Sequence, residues 1–570
     1  MPTYAFDTAR EEAISGVRAV VGEPLEVIVT VPPQGVDADL AVPCFPLAAK
    51  LKKSPADVAR QLADHMPVLS LLAQPRADGG YLNFLLNRPA YAKAVTEDLR
   101  RLEDRYGSGD GGNGQAVVID FSSPNVARPM SVGHLRSTII GDALHRLYAF
   151  SGYRPVGVNH YADWGTQFGT LLYGMTHWRD PDAYARDPVP ELLRLYVRFD
   201  QEAERNPALR DEARSWALRL ERGDLEARRM WAEIVEHSLA EFRRIYERLG
   251  VAFDSWRGES AYLDDSRTVI EEASRKGVAR EDQGALIVPL GDAGIETPLI
   301  LRTSDGRTMY HTRDLAAAIY RIRTYAPAQL IYVVGADQRL HFRQLFATLT
   351  KMGYDGPTYA HVDFGLITLP EGRMSTRRGR VVFLDDVLDE AVARARQLVE
   401  KNQELSGAEK DEVARIVGIG AIKYGDLSQN RVKNIVFEWD RILALDGDSA
   451  PYLQYTYVRA RGIMRKGTMA HSAGGIDVRA TETPEEWALI KHLARFPGAV
   501  RDATRAYHPH VVANYLYHLA QTFHAFYHQV PVLQATDEAL RESRMDLVRA
   551  TAQVMRTGLG LLGIQVPERM

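Results

Sequence analysis

The sequence predicts a multidomain α/β protein, and three observations carry that reading. A run of β-formers at Val117–Phe121 leads through a tight loop into a helix with its apolar residues at helical spacing. Further short apolar stretches, the clearest at Gln329–Gly335, read as buried parallel strands followed by helices. From Asp385 onward the chain reads as almost entirely helical. At 570 residues it is too long for one hydrophobic core, so roughly two to four domains are expected.

Composition narrows the class. With 45% hydrophobic and 25% charged residues the chain reads as an ordinary soluble globular protein. A formal charge of -4 means that any nucleic-acid surface must be locally basic. The single cysteine, Cys44, excludes an internal disulfide and a cysteine zinc cluster. The N-terminus lacks the pattern of a secretory signal and no run suits a membrane span, so a cytoplasmic protein without membrane contact is expected.

Residues 1–110 read as a small α/β or α+β unit. Leu25–Val31 alternates like a strand, Phe45–Ala63 reads as a turn and a helix with Pro55 near its start, Tyr81–Leu86 as a strand and Ala90–Tyr106 as a helix. The glycine-dense stretch Gly107–Gly114 marks a boundary. Asn83 and Phe84 set an amide beside an aromatic ring, which can grip and stack on an exposed base. An ordinary strand with one polar face is the simpler account of the same pair.

The central unit spans residues 115–385. After Val117–Phe121 come Ser122, Ser123, Pro124 and Asn125, then Gly133-His134-Leu135-Arg136-Ser137-Thr138. In the helix that follows, Ile139, Ala143, Leu147 and Phe150 share one face. A helix N-terminus facing the carboxyl ends of parallel strands attracts phosphate. Gly133 permits close backbone approach, and His134 can donate to a phosphate oxygen. A Gly-His pair alone is usually a turn or a cap. Asp120, Ser123 and Asn125 strengthen the nucleotide reading because they lie where α/β enzymes hold ligands.

This stretch resembles the first motif of class I aminoacyl-tRNA synthetases, and specifically of arginyl-tRNA synthetases. Their form is Phe-Ser-Ser-Pro-Asn followed by His-x-Gly-His-Leu-Arg-Ser-Thr. The resemblance extends over nearly the whole chain. It implies a Rossmann-type class I synthetase catalytic domain, a small N-terminal domain touching the tRNA corner and D-loop, and a C-terminal all-α anticodon-binding bundle.

Tyr153–Asn159 reads as the second strand and delivers His160, Asp163 and Trp164 to its carboxyl end. The family pattern there is Gly-Asp-Trp-Gly, with Ala162 in place of the first glycine. Residues 175–250, helical and rich in arginine and glutamate, read as an insertion with a solvated charged face. Ala285–Leu290 and Pro298–Thr303 read as strands. A helix starts at Met309, with Thr312 expected as its cap and Asp314 in its first turn. Tyr310 and Asp314 are then able to face one pocket. Gln338 and His341 follow the strand Gln329–Gly335, so three strand ends converge on polar residues.

After Tyr359–Leu369 a loop carries Arg373, Arg377, Arg378 and Arg380. A solvated hairpin tip is the plain account. A mobile cationic loop over a triphosphate, neutralising the departing pyrophosphate, is the functional one. With Met374 and Ser375 it resembles the second class I motif, Lys-Met-Ser-Lys-Ser, or Lys-Met-Ser-Thr-Arg in many arginine enzymes. The chain departs at Arg373 for the motif lysine, at Ser131 for the first histidine, and at Arg128 where the family often has lysine. Arginine keeps the charge but not the compact ammonium geometry.

Residues 386–450 read as a helical junction and 451–570 as a helical domain. Tyr452, Tyr455 and Arg459 recur at helical spacing, with Arg461, Arg465 and Lys466 nearby. Such a helix suits unpaired nucleotides, although the core of a helix bundle explains the tyrosines nearly as well. The end of the chain, including Met570, resembles the family's anticodon-binding domain.

The resemblance implies ATP-dependent ligation of L-arginine to its tRNA through arginyl-adenylate, releasing AMP and diphosphate. It assigns arginine binding to Asp120, Ser123, Asn125, His160, Tyr310, Asp314 and Gln338, and ATP binding to Gly133, His134, Met374 and Ser375. Catalytic roles fall to His134, Arg128, Ser131, Arg373, Arg377 and Arg378. The tRNA contacts fall to Asn83, Phe84, Tyr452, Tyr455, Arg459 and Met570. Mg2+ is expected with ATP, without a dedicated protein site, and the chain is expected to be a monomer. The alternatives are a tRNA-binding paralogue without catalysis, favoured by Arg373 and Ser131, or a class I enzyme with another acceptor.

Overall fold

The structure is a computed structural model that describes residues 4–22, 25–33, 35–369, 372–373, 382–467 and 478–570. In the N-terminal unit β1 (Leu40–Pro43), β2 (Arg76–Asp78) and β3 (Tyr81–Phe84) form an antiparallel sheet with β3 in the centre. The helices Ala5–Val21, Pro55–His65 and Arg88–Leu102 complete it. Ser54 caps the second of these by accepting from Asp57 N at 3.1 Å, with Pro55 at the first helical position. The expected strand at 25–31 is reduced to one antiparallel bridge, Thr30 to Ala41. Pro32 and Pro33 follow it, and neither has the N–H needed to extend a ladder.

The central sheet is parallel. It contains β4 (Ala116–Asp120), β5 (Arg154–Asn159) and β6 (Ser255–Trp256). Another three strands, β7 (Arg280–Asp282), β8 (Ala285–Val288) and β9 (Leu299–Arg302), form a separate antiparallel sheet rather than joining it. The chain then returns with β10 (Gln329–Tyr332) and β11 (Thr358–His361), giving the order β11-β10-β4-β5-β6. The first half therefore grows outward from β4 on one side and the second half on the other. The β4/β10 boundary is the switch point at which such sheets open a crevice. Every residue of β4 is buried, as a strand covered on both faces must be.

The helices Gln167–His177, Pro188–Arg205, Leu209–Glu221 and Leu225–Leu249 pack together between β5 and β6. Beyond β11, β12 (Ile367–Leu369) pairs with β13 (Gly372–Arg373) and with β14 (Ile435–Val436). The stretch after Asp385 is thus not helical throughout, since the helix Gly407–Leu427 stops before β14. The C-terminal helices include Ala450–Lys466, Pro484–Leu493, Phe496–Ala506, His510–Gln529 and Glu538–Leu561. They also meet the N-terminal unit: Tyr106 Oη donates to Leu493 O at 3.2 Å, and Tyr91 meets Trp487 edge-on at 6.0 Å. Among the described residues no helix is long and apolar enough to cross a membrane.

Candidate active site

The crevice is built from the carboxyl ends of β4, β5 and β10. The chain leaves β4 through a loop in which Ser122, Ser123 and Ala127 have φ of 74°, 47° and 65°. Left-handed backbone at non-glycine residues is held only by its surroundings and clusters at functional sites. Here the surroundings are explicit. Ser122 N donates to Ser137 Oγ at 2.8 Å, Val126 N to Ala162 O at 3.1 Å and Ala127 N to Ser238 Oγ at 2.9 Å. Ser137 Oγ in turn donates to Val333 O at 2.6 Å, tying the end of β10 to the same loop.

The helix Val132–Phe150 begins at the end of this loop, with Ser131 as its N-cap and Gly133 exposed on its first turn. Ser131 N donates to His134 Nδ1 at 3.1 Å. That bond leaves Nδ1 without a proton, so the neutral ring carries it on Nε2. Burial lowers the pKa of His134, which favours this neutral form. His134 is therefore a neutral donor held at a helix N-terminus. Arg128 stacks over the Tyr196 ring at 4.5 Å, on the face of the helical insertion.

Asp314 is the centre of the second cluster. It sits on the helix Tyr310–Tyr325, with Oδ1 at 3.4 Å from His160 Nε2 and Oδ2 at 2.9 Å from His341 Nε2. Burial opposes its charge, but the two imidazoles hold the carboxyl well below the usual carboxylate range. Burial also opposes the charged form of His160, and Asp314 outweighs it, so the His160 pKa is raised. Tyr310 lies at the open edge, stacked on His311 with ring centres 3.8 Å apart. Gln338 is exposed at the start of the helix Arg339–Lys351, as is Asn125 on the β4 loop.

Several residues are placed differently from the sequence expectation. Asp120 does not stand free for a ligand, because Arg321 Nη1 lies 2.8 Å from its Oδ2 and both side chains are almost wholly buried. Ser123 Oγ donates to the other oxygen at 3.1 Å. Asp120 is thus already neutralised, whereas the Asp314 side chain remains 23% exposed. Thr312 does not cap its helix. The N-cap is Met309, and Thr312 Oγ1 instead donates to Leu301 O at 2.7 Å, fastening the helix to β9. Phe84 is fully buried, so strand alternation places its ring in the core and Asn83 on the opposite face. The aromatic residue beside Asn83 on that outer face is Tyr81, 45% exposed and edge-on to Phe45.

Arg373 lies on β13. Met374, Ser375, Arg377, Arg378 and Arg380 lie outside the described residues. On the helix Ala450–Lys466, Tyr452, Tyr455 and Arg459 are part-buried, with Arg459 Nη2 donating to Tyr455 Oη at 2.6 Å and stacking over Tyr527 at 5.4 Å. Met570 packs against the core near this helix, whose Tyr457 donates to Glu568 Oε1 at 3.2 Å. The sequence reading missed Arg321. It lies seven residues after Asp314, two helical turns along the same face, which is the spacing that would have revealed it.

Comparison with known proteins covers all three units. Residues 100–439 match the family model for the catalytic domain of class I tRNA synthetases (R). Residues 453–570 match the DALR anticodon binding domain, and residues 8–86 the arginyl tRNA synthetase N terminal domain. The chain is 44% identical over 575 residues to the arginine–tRNA ligase of Chloroflexus aggregans, covering 100% of both chains. It is 42% identical over 551 residues to that of Halothermothrix orenii, covering 96% of each. Among solved structures, Thermus thermophilus arginyl-tRNA synthetase superposes with a TM-score of 0.85 at 29% identity, over 99% of each chain.

Proposed function

The chain belongs to the arginyl-tRNA synthetase family, and from that premise we infer how its residues divide the reaction between them. The activity is ATP-dependent ligation of L-arginine to tRNA. The arginine carboxylate attacks the α-phosphate of ATP, diphosphate leaves, and a terminal ribose hydroxyl of tRNA then takes the arginyl group from the adenylate with release of AMP. No covalent enzyme intermediate is needed. The work is positioning and stabilisation of charge.

In our reading Asp314 receives the substrate guanidinium. A guanidinium offers a planar fork of donors, and an ionised carboxylate at the mouth of a buried pocket matches it in shape and charge. The observation that supports this most is the placing of Asp314 between two imidazoles, ionised yet still partly exposed. Tyr310 and Gln338 flank the opening, and Asn125 with Ser123 meets the α-amino and carboxylate end. Asp120, held by Arg321, shapes the floor. Lysine would leave part of the fork unpaired, which lowers its transition-state binding.

His134 donates from Nε2 to a phosphate oxygen as the bond to diphosphate breaks, with Gly133 leaving room for the nucleotide. Arg128, Arg373, Arg377 and Arg378 supply positive charge for the phosphates, and Met374 and Ser375 meet the nucleotide. Mg2+ would enter with ATP, carried by its phosphates and water, and would supply charge neutralisation there without a dedicated protein site. Asn83, Tyr452, Tyr455, Arg459 and Met570 belong to the tRNA surface, and we read the enzyme as a cytoplasmic monomer. The test is arginine-dependent pyrophosphate exchange with tRNA present. Asp314→Asn should lower kcat/KM for arginine by roughly two orders of magnitude, from a loss of about 3 kcal/mol, and should leave the KM for ATP near its starting value. Exchange unaffected by this change would refute the assignment of Asp314.

A further inference from the structure

We propose that arginine binding expels a proton from His160, so that the imidazole beside Asp314 couples substrate capture to pH. The proposal deepens the reading of Asp314 as the guanidinium acceptor and rests on it.

A carboxylate has about four lone-pair positions on its two oxygens. His160 Nε2 addresses one oxygen and His341 Nε2 the other, at 3.4 and 2.9 Å. The two rings stand one at each oxygen at ion-pair distance, without a hydrogen bond of good geometry, and leave the rest of the carboxylate to a planar fork. None of the four ring nitrogens of His160 and His341 has a hydrogen-bond partner among the described residues. A second proton on His160 therefore has no hydrogen-bond acceptor and is retained by neighbouring carboxylate charge, that of Asp314 first, against the cost of burial. A guanidinium arriving on Asp314 takes that charge, and an imidazolium a few ångströms away then repels it. The second proton leaves.

The other charged groups facing Asp314 and His160 are Arg313, Glu259, Arg321, Asp120 and Asp163; burial raises the Glu259 and Asp163 carboxyls, and Asp163 accepts from Ser260 N and Oγ at 2.8 and 2.6 Å. Arg313 pairs with Glu259 at 2.9 Å, and Arg321 with Asp120 at 2.8 Å. Burial, with His341 next in weight, pushes His311 down to about 4, so it is neutral across the relevant range. Burial raises Tyr310, Tyr262 and Tyr332, so these phenols are uncharged as well. His160 is the ring whose pKa is raised, with Asp314 overcoming burial. The sign follows. Below the His160 pKa of the free enzyme, arginine must displace a proton and affinity rises with pH. Above it, nothing is displaced and affinity is level.

The test is calorimetric titration of the full chain with L-arginine alone, at pH 6.0 to 8.0, in pairs of buffers with different ionisation enthalpies. Arginine stays fully charged at its guanidinium over this range. The expected result is release approaching one proton per arginine at the acid end, falling towards zero at pH 8.0, with Kd weakening up to tenfold per pH unit where release is complete. Glutamine keeps an N–H donor but cannot gain a charge. His160→Gln, checked for folding by near-ultraviolet circular dichroism, should bind arginine with a Kd that no longer changes with pH. Binding by the unaltered chain without proton release at pH 6.0 would overturn the proposal and leave the Asp314 site standing. Unchanged arginine affinity in Asp314→Asn would instead remove the site on which it rests.

Discussion

Arg136 and Asp426 form a two-point ion pair across the protein, Nε to Oδ2 at 2.9 Å and Nη2 to Oδ1 at 3.2 Å, with both side chains almost wholly buried. Arg136 belongs to the helix that begins at the nucleotide motif, and Asp426 to the helix Gly407–Leu427. The remaining guanidinium nitrogen, Nη1, donates to Gly365 O at 2.7 Å and Lys433 O at 3.0 Å. One side chain thus ties the first motif helix to the chain entering β12 and to the chain entering β14. The strand that leads to the second motif is anchored through the first.

Removing Arg136 should therefore be costly for stability and for activity together. Arg136→Met leaves Asp426 buried without a counter-charge, and loss of one partner of such a pair destabilises by about 3–5 kcal/mol. Urea unfolding should show this as a lower midpoint, and pyrophosphate exchange should fall because the β12 approach is no longer fixed. The double variant Arg136→Met with Asp426→Leu should recover much of the stability, since no lone charge remains, but not the exchange rate. A double variant less stable than Arg136→Met would contradict this account.

His134 should contribute as a neutral donor. His134→Ala is expected to lower kcat in exchange by roughly two to three orders of magnitude, in line with loss of a pre-positioned donor to developing charge. His134→Asn should recover part of that, because its amide offers N–H groups from a similar position. Burial lowers the pKa of the ring, so activity should not require an imidazolium. A rate that rose as pH fell through the ordinary histidine range would speak against this role.

The parallel strands and the motif helix were legible in the sequence because their apolar runs and loop residues are local. The gathering of strand ends was legible too, through the rule that such sheets bind ligands at the carboxyl edge. The pairing of Asp120 with Arg321 was not. It is a contact between residues 201 positions apart, decided by which face of the helix Tyr310–Tyr325 meets β4. Thr312 shows the limit of cap rules, because a hydroxyl able to cap a helix found a carbonyl on β9 instead. Phe84 shows the limit of reading adjacent residues as a pair, since neighbours on a strand face opposite ways.

That alternation gives a clean contrast in the N-terminal unit. Tyr81→Ala should weaken tRNA binding by roughly 1–3 kcal/mol if the ring stacks on an exposed base, with little change in unfolding midpoint. Phe84→Ala should destabilise the protein by about 3–5 kcal/mol, as expected for an aromatic side chain cut from a core. Filter binding of tRNA together with thermal unfolding of both variants separates the roles. Equal loss of tRNA affinity in the two, at unchanged stability, would restore Phe84 to the binding surface.

Lys423 provides a pH test of the same helix contact from its other end. It is buried, donates to Gly563 O at 2.7 Å, and stands 3.8 Å from Asp142 of the motif helix. Burial, only partly offset by Asp142 and reinforced by Arg146, pushes its pKa down to about 8. A lysine in the unfolded chain keeps its proton to a pKa of about 10.4. Between these values the unfolded state binds more protons, so folding stability gains from rising pH. The gain is at most about 1.4 kcal/mol per pH unit. Lys423→Met removes this term while Arg146 continues to pair with Asp142 at 2.9 Å. Between pH 8 and 10 the stability of the unaltered chain should therefore climb relative to the variant in urea titrations. Parallel curves across that window would mean that Lys423 is not buried as a charge.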